Sequence, residues 1–465
     1  MEVMKYDLAI IGSGPGGYVA AIRGTQLGLK VVVIEKSELG GVCLNWGCIP
    51  TKALLKSSHL YHSFKSAKQF GIKPNGNVDF DFSKVISRSR RIAAKMSKGI
   101  EFLFKKNGVE LIKGTGKLVD KNRVEVKTEN ETINILAKNI IIATGARPKE
   151  LPGIKIDEKK VISYKKALTL DKLPESMLII GSGAIGTEMA FFYSTFGTKV
   201  TIVEFLPHVV PLEDEEISET LSSIMKKRKI EVITSGKVVS VDTSGDTCKV
   251  LIETPSGNIT KEAEIVLSSV GIDANIEGIG LENLNIEVEK GKIKVNEFYK
   301  TTLDNVYAIG DVINTPALAH VASAEGITCV EKISGLNVTP LDYSNIPSGI
   351  FSDPEIASVG ISENKAKEKN IRIKIGKFPF SALGKASAYG ALDGFVKLIF
   401  DSETDILIGA HIIGYGATDM ISELVLAKKL KAKSHDILKT IHPHPTMSEA
   451  IMEAAANAEN EAIHI

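Results

Sequence analysis

The sequence predicts an α/β fold: two units of parallel sheet and helix, each organised around a glycine-rich turn, followed by a separate α+β domain. Two observations carry this. An apolar run ending in Gly-x-Gly-x-x-Gly, a helical pattern, a second apolar run and a terminal acid occur twice in the chain. After about Ile346 the texture changes to alternating strands punctuated by Gly and Pro, then two helical stretches.

In the first repeat, Tyr6 to Ile11 is the apolar run and Gly12, Gly14 and Gly17 form the turn. A helix ends near Gly28, Val31 to Ile34 is the second run, and Glu35 lies 23 residues beyond Gly12. The second repeat runs from Met177 to Ile180 through Gly181, Gly183 and Gly186, a helix ending near Gly197, and Lys199 to Val203, to Glu204, again 23 residues beyond its first glycine. Matching positions are 169 residues apart, which makes these two Rossmann-like units in one register. The glycines permit a tight turn and close approach to a pyrophosphate, and the helix N-terminus offers it free N–H groups. Glu35 and Glu204 are expected to accept from a ribose diol. Glu204 would repel a 2′-phosphate, and Phe205, Leu206, Pro207 and His208 include no Arg or Lys to bind one, so the second unit should take NAD rather than NADP. Between the repeats, Asn139 to Gly145 reads as a buried strand meeting a turn, and Arg147-Pro148 with Leu151-Pro152-Gly153 as a crossover. Asn305 to Ile309 reads as another strand, and the late helices are expected near Thr418 to Lys431 and from about Met447.

Composition bounds the function. A chain of 465 residues is too long for one core, and a net charge of +1 gives no global attraction to nucleic acid or an anionic membrane. The basic run Lys226-Lys227-Arg228-Lys229 is expected to be a solvated helix face. No apolar stretch approaches the roughly 20 residues that span a bilayer. Met1-Glu2-Val3-Met4-Lys5-Tyr6 passes straight into a strand, so a soluble, intracellular protein is expected. Four cysteines make no structural framework in such a chain, so a disulfide here would be catalytic. Cys248 and Cys329 are expected to be buried free thiols without a role.

Cys43 and Cys48 fall in Gly40-Gly41-Val42-Cys43-Leu44-Asn45-Trp46-Gly47-Cys48-Ile49-Pro50-Thr51-Lys52, with Cys43 eight residues after Glu35. A reducible cystine beside a redox cofactor can pass electrons between a thiol substrate and a nicotinamide. Pro50 favours a helix start, which puts Cys48 at a helix N-terminus with Lys52 on its face; both effects stabilise a thiolate. Cys43 is expected on the preceding loop, open to substrate. No further Cys or His completes a metal ligand set, so no metal is expected. Near the end, His442-Pro443-His444-Pro445 holds two imidazoles on a stiffened backbone, suited to a thiol base. Glu449 reads equally as partner of an imidazole and as the acid of a capping box with Thr446.

Together these motifs resemble, over essentially the whole chain, the pyridine nucleotide-disulfide oxidoreductases, and within them the branch that oxidises protein-bound dihydrolipoyl groups for 2-oxo acid dehydrogenase and glycine cleavage complexes. The resemblance implies a glutathione-reductase-like fold. It divides the chain into an FAD-binding part at 1–147, an NAD-binding domain at 148–270, a central domain completing the FAD site at 271–345, and a dimerisation domain at 346–465. It implies FAD on the first glycine turn, with further contacts at Lys52, Gly116, Thr144, Gly145, Gly310, Asp311, Ala317, Leu318, Ala319 and His320, and NAD on the second, beside Val238 and Gly271. Cys43 becomes the interchange thiol, Cys48 the thiol facing the flavin, Lys52 and Glu188 a pair near the flavin, and His444 the base oriented by Glu449. A homodimer, a lipoyl-bearing acyltransferase or carrier protein as partner, and a cytoplasmic or organelle-matrix location follow, with no nucleic acid and no membrane.

The chain departs from relatives at Gly271-Ile272-Asp273-Ala274-Asn275 and Ala184, which bear on nicotinamide access, and at Trp46, read as packing. Two other readings compete. A glutathione-reductase type would use NADPH, for which the residues after Glu204 are unsuited, and a non-catalytic flavin-containing docking subunit would not need Cys43, Cys48, His444 and Glu449.

Overall fold

The computed structural model describes residues 4–73, 76 and 78–465, so Met1 to Val3 of the N-terminal segment lie outside the described residues. Two compact units emerge, one of Met1–Leu54, Ser83–Lys149 and Gly271–Leu341, the other of Leu55–Phe82, Glu150–Val270 and Asp342–Ile465.

In the first unit, Met4–Ile11 lies inside a seven-stranded sheet, parallel to Val31–Glu35 on one side and Thr132–Ile142 on the other. Leu8 to Ile11 and Val31 to Ile34 are buried, as continuous apolar runs must be in a parallel sheet covered on both faces. Glu110–Lys113 extends the sheet beyond Val31–Glu35, and Val306–Ala308 pairs in parallel with Thr132–Ile142. An antiparallel ribbon, Thr115–Leu118 with Arg123–Lys127, completes it. The chain leaves the Met4–Ile11 strand first to one side and later to the other. The crevice beyond the carboxyl ends of Met4–Ile11 and Thr132–Ile142 is therefore a topological switch point, where open α/β sheets bind ligands.

The second unit carries a parallel sheet in the order Glu231–Ile233, Lys199–Val203, Ser176–Ile180, Ile265–Ser268 and Val161–Ile162. A three-stranded antiparallel meander follows, Lys237–Asp242, Cys248–Thr254 and Gly257–Ala263. A separate antiparallel sheet is formed by Ser348–Ile350, Glu355–Gly360, Leu407–Gly414, Phe395–Asp401 and Ile373–Pro379. The helices Ala417–Lys429 and Glu449–Ala458 contribute Leu424 and Ile451 to the core over Phe378, Phe400 and Ile412. The last helix, expected from about Met447, runs over Glu449–Ala458 and is led in by a turn through Met447 and Ser448. No described helix is long and apolar enough to cross a membrane.

The basic run at 226–229 is not wholly a solvated face. Arg228, just past the helix Glu215–Lys227, donates to Asp353 Oδ2 at 2.6 Å and meets His62 Nδ1 at 3.1 Å. Lys397, inside Phe395–Asp401, is only 1% exposed, and its ammonium lies 2.9 Å from Asp214, 2.8 Å from Glu216 and 2.7 Å from Glu363. Asp214 also caps the helix Glu215–Lys227 by accepting from Glu216 N–H, so this buried cluster ties that helix to the C-terminal sheet. Hydrogen bonds from Lys367 and then Lys397 hold the Glu363 carboxyl down at about 2 against its desolvation. A depressed carboxyl contributes stability that is present above the ordinary carboxylate range and lost as pH falls towards about 2. The Lys397→Met variant leaves Glu216 to Lys377 and Glu363 to Lys367 but strips the buried Asp214 of its ammonium, and should lose about 3–5 kcal/mol, read as a lower Tm at pH 7. Acidification from roughly pH 4.5 should then cost the variant less than the parent, measured by thermal unfolding across that range.

Candidate active site

The two glycine turns are built alike. Gly12 has φ +106°, and a Cβ there would lie 2.2 Å from the Ala143 carbonyl oxygen, while a Cβ on Gly17 would lie 2.0 Å from the Gly12 oxygen. In the second turn Gly181 has φ +96°, and a Cβ on Gly186 would come 2.0 Å from the Gly181 oxygen. Only the middle glycines, Gly14 and Gly183, face open space, with nothing within 4 Å of their absent Cβ. They are also the N-caps of Pro15–Gln26 and Ala184–Phe196, both without a side-chain cap, so the first-turn N–H groups point into that space. Each cradle fits a pyrophosphate.

Sequence reasoning missed what holds these turns open. Glu35 Oε2 accepts from Ser13 N–H at 2.8 Å and Ser13 Oγ at 2.7 Å, and Oε1 accepts from Ser37 N–H at 2.9 Å. Glu204 repeats the pattern with Ser182 N–H at 2.8 Å, Ser182 Oγ at 2.7 Å and Leu206 N–H at 2.9 Å. Oε1 of each acid retains a lone pair for a ribose hydroxyl. The signal was present in the chain: Ser13 and Ser182 share the 169-residue offset.

The cysteine segment is fastened to the first turn. Gly40 N–H donates to Ser13 O at 3.0 Å, and a Cβ on Gly41 would lie 2.7 Å from Gly14 Cα. Cys43 is not on a loop, as the sequence suggested, but within the short helix Gly41–Trp46, which Asn45 ties by donating to Leu39 O and Gly41 O. Cys48 is the first residue of the helix Cys48–Lys65, and Pro50 its third. Cys43 and Cys48 carry free thiols in this structure, the reduced form of the pair. The hydrogen bond to Cys48, and then burial, push the Cys43 thiol far above its ordinary range, with Lys52 opposing. Trp46 packs under the Arg90 guanidinium, 4.1 Å from its ring centroid.

Around the first cradle, Gly116 lies against Ile11 and Ile34, and Thr144 exchanges hydrogen bonds with Asn275, Oγ1 donating to its carbonyl at 2.7 Å and the Thr144 carbonyl accepting from Nδ2 at 3.0 Å. Asn275 thus belongs to the site's framework, and the preceding Ile272–Ala274 pairs with Ala146–Pro148 beside Gly145. Gly310 N–H donates to Glu325 at 2.6 Å, a fully buried glutamate that sequence reasoning missed. Burial raises the Asp311 carboxyl, against the pull of Lys292. Ala317 and Leu318 lead into the helix Ala319–Ile333, with His320 in its first turn. In the second unit, Val238 pairs with Ile252 beside a bulge, and Glu188 is buried and accepts from Phe351 N–H at 3.0 Å. Gly271 has φ +124°.

Glu449 fulfils both readings left open by the sequence. Its Oε2 accepts from Thr446 N–H at 2.7 Å, half of a capping box, while its Oε1 meets His444 Nδ1 at 2.8 Å. Burial opposes it, but Thr446, His444 and His442 together hold the Glu449 carboxyl below its ordinary value. His444 is 78% exposed. Among the described residues, Asp405, His435 and Glu459 could approach a metal, but the Lys374 ammonium, 2.7 Å from Asp405 and bonded to Glu459, already supplies the cation there.

A twofold dinucleotide cradle with a dithiol against one turn defines a nucleotide-dependent disulfide oxidoreductase. The model of the pyridine nucleotide-disulphide oxidoreductases matches residues 6–326, that of their dimerisation domain matches 346–455, and the chain belongs to this family. It is thus a flavoprotein oxidoreductase with FAD and NAD as cofactors. Its relatives include the dihydrolipoyl dehydrogenases of Bacillus subtilis, 46% identical and covering 99% of both chains, and of Pisum sativum mitochondria, 44% identical and covering 99% of this chain and 92% of that one. Among solved structures, LpdA from Mycobacterium tuberculosis matches with a TM-score of 0.90 at 26% identity, over 97% of this chain and 99% of that one.

The two kinds of turn glycine should separate by experiment. Gly183→Ala fills open space and should leave Tm and FAD content unchanged while raising KM for NAD at least about tenfold. Gly186→Ala meets a carbonyl at 2.0 Å and should lower Tm as well.

Proposed function

We propose that the protein is a dihydrolipoyl dehydrogenase, oxidising lipoyl-bound dithiols with NAD as acceptor, and that its partners are a second copy of the chain and a lipoyl-bearing acyltransferase or carrier protein. The observation that carries the reading is the hydrogen-bonded Cys43 and Cys48 pair fastened to the first glycine turn. The residues divide the work. With the pair oxidised, a dihydrolipoyl thiolate attacks Cys43 Sγ, the Cys43–Cys48 bond breaks, and Cys48 leaves as thiolate at its helix N-terminus. His444, with Nδ1 held by Glu449, takes the proton of the second substrate thiol at Nε2. That thiolate attacks the substrate sulfur of the mixed disulfide and displaces Cys43, which takes the proton back from His444, so lipoyl leaves as disulfide and the pair remains as a Cys43 thiol and a Cys48 thiolate. FAD, when bound, supplies the carrier between this dithiol and the nicotinamide.

Gly12, Gly14, Gly17 and Glu35 are assigned to FAD, with Lys52, Gly116, Thr144, Gly145, Gly310, Asp311 and residues 317–320 beside it. Gly181, Gly183, Gly186, Glu204, Val238 and Gly271 are assigned to NAD, and Lys52 and Glu188 to charge near the flavin ring. His444 is exposed on its own unit, which supports a site completed by a second protomer. A cytoplasmic or organelle-matrix location goes with this reading, the Pisum sativum relative being named as mitochondrial.

The test is anaerobic titration of the yellow protein with dihydrolipoamide, watched for long-wavelength absorbance, then addition of NAD⁺ with NADP⁺ in parallel. Absorbance followed by NADH is expected, and Cys43→Ser or Cys48→Ser should abolish turnover. No spectral change with dihydrolipoamide, or reduction of NADP⁺ alone, would overturn the reading in favour of a glutathione-reductase type.

A further inference from the structure

The mechanism uses one imidazole of the His442-Pro443-His444-Pro445 segment and leaves the other unexplained. His442 has a side chain only 4% exposed, and both its ring nitrogens face acceptors, Nδ1 the Thr440 carbonyl at 2.9 Å and Nε2 the Glu423 carboxylate at 2.8 Å. A neutral imidazole carries one N–H and could satisfy only one of them, so this geometry demands the doubly protonated ring. His444 is the opposite case. One nitrogen meets Glu449, and Nε2 makes no hydrogen bond among the described residues, as a base requires.

We propose that His442 is a positioning residue for the His444–Glu449 pair, pinned at both nitrogens so that it fixes the turn presenting His444 and sets an imidazolium facing Glu449. The proposal rests on the reading of His444 as thiol base. The anchor is long-range: Glu423 belongs to the helix Ala417–Lys429, so one ion pair ties that helix to the turn ahead of Glu449–Ala458. The charged groups facing His442 are Glu423 from the first of these helices and Glu449 from the second, with His444 on its own turn. The hydrogen bond to Glu423 holds His442 above its ordinary range despite burial, and Glu449 adds to this. Two effects follow for the base. Its direction is set by a turn that cannot rock, and the nearby positive charge offsets part of the Glu449 carboxylate that the base faces.

The test uses the full-length, FAD-loaded protein with His442→Gln, Glu423→Gln and the double variant. Turnover of dihydrolipoamide with NAD⁺ is measured against pH, beside NADH oxidation by ferricyanide, which needs no thiol step. Each single variant should lose about tenfold in kcat with the ferricyanide rate and flavin content unchanged. The acid limb of kcat/KM should move up by roughly half a pH unit in His442→Gln, and the double variant should be no worse than the poorer single one. Wild-type kcat and an unmoved acid limb in His442→Gln would overturn the proposal. So would parallel loss in both assays, which marks fold support alone. Should His442→Gln fail to fold, Glu423→Gln, which alters a partly exposed helix residue, decides the matter by the same two readouts. His444→Gln, run alongside, separates the two levels: retained turnover there removes the base itself and with it any need for a positioning residue.

Discussion

A turn that presents bare backbone N–H groups to an anion cannot rely on that anion to hold it. In both nucleotide cradles the holding force is a buried carboxylate that closes the second strand and grips the serine between the first two glycines. Each bond is charge-assisted and lies in a desolvated setting, where such bonds are strongest. The carboxylate's second oxygen then fixes the residue two positions past the strand, Ser37 or Leu206. One side chain therefore sets the turn, the strand end and the departure of the following loop. In the first unit that loop carries the cysteines.

The geometry of the dithiol inherits this constraint. Gly40 binds back to Ser13 and Gly41 abuts Gly14, so the helix bearing Cys43 is registered on the same turn that the Glu35 carboxylate holds. The cysteine segment and the glycine turn are thus joined through a few backbone contacts rather than through a long side-chain relay. The C-terminal segment follows the same economy, with Glu449 serving helix capping and imidazole orientation through its two oxygens.

Much of this was legible in the chain. The duplicated turns, their acids and the 169-residue register come from local spacing, and the structure places all of them as read. What escaped was of two kinds. Arg228 with Asp353, Lys397 with Asp214, and Gly310 with Glu325 depend on tertiary neighbours that no local pattern announces. Cys43 lies in a helix that no periodicity announces, since Gly41–Trp46 spans only six residues and opens on two glycines with positive φ. The serines were visible but silent, since a small polar residue in a glycine turn has an adequate explanation as a turn former.

The grip of Glu204 on Ser182 also limits how such a protein could change its nucleotide. Accepting a 2′-phosphate calls for removing that negative charge, yet the same carboxylate is the fastening of the turn. An exchange at this one position would admit the new ligand and release the cradle that must hold it. Any lineage or design that moves to the phosphorylated nucleotide must therefore first give Ser182 another acceptor, so preference is protected by epistasis and not only by repulsion.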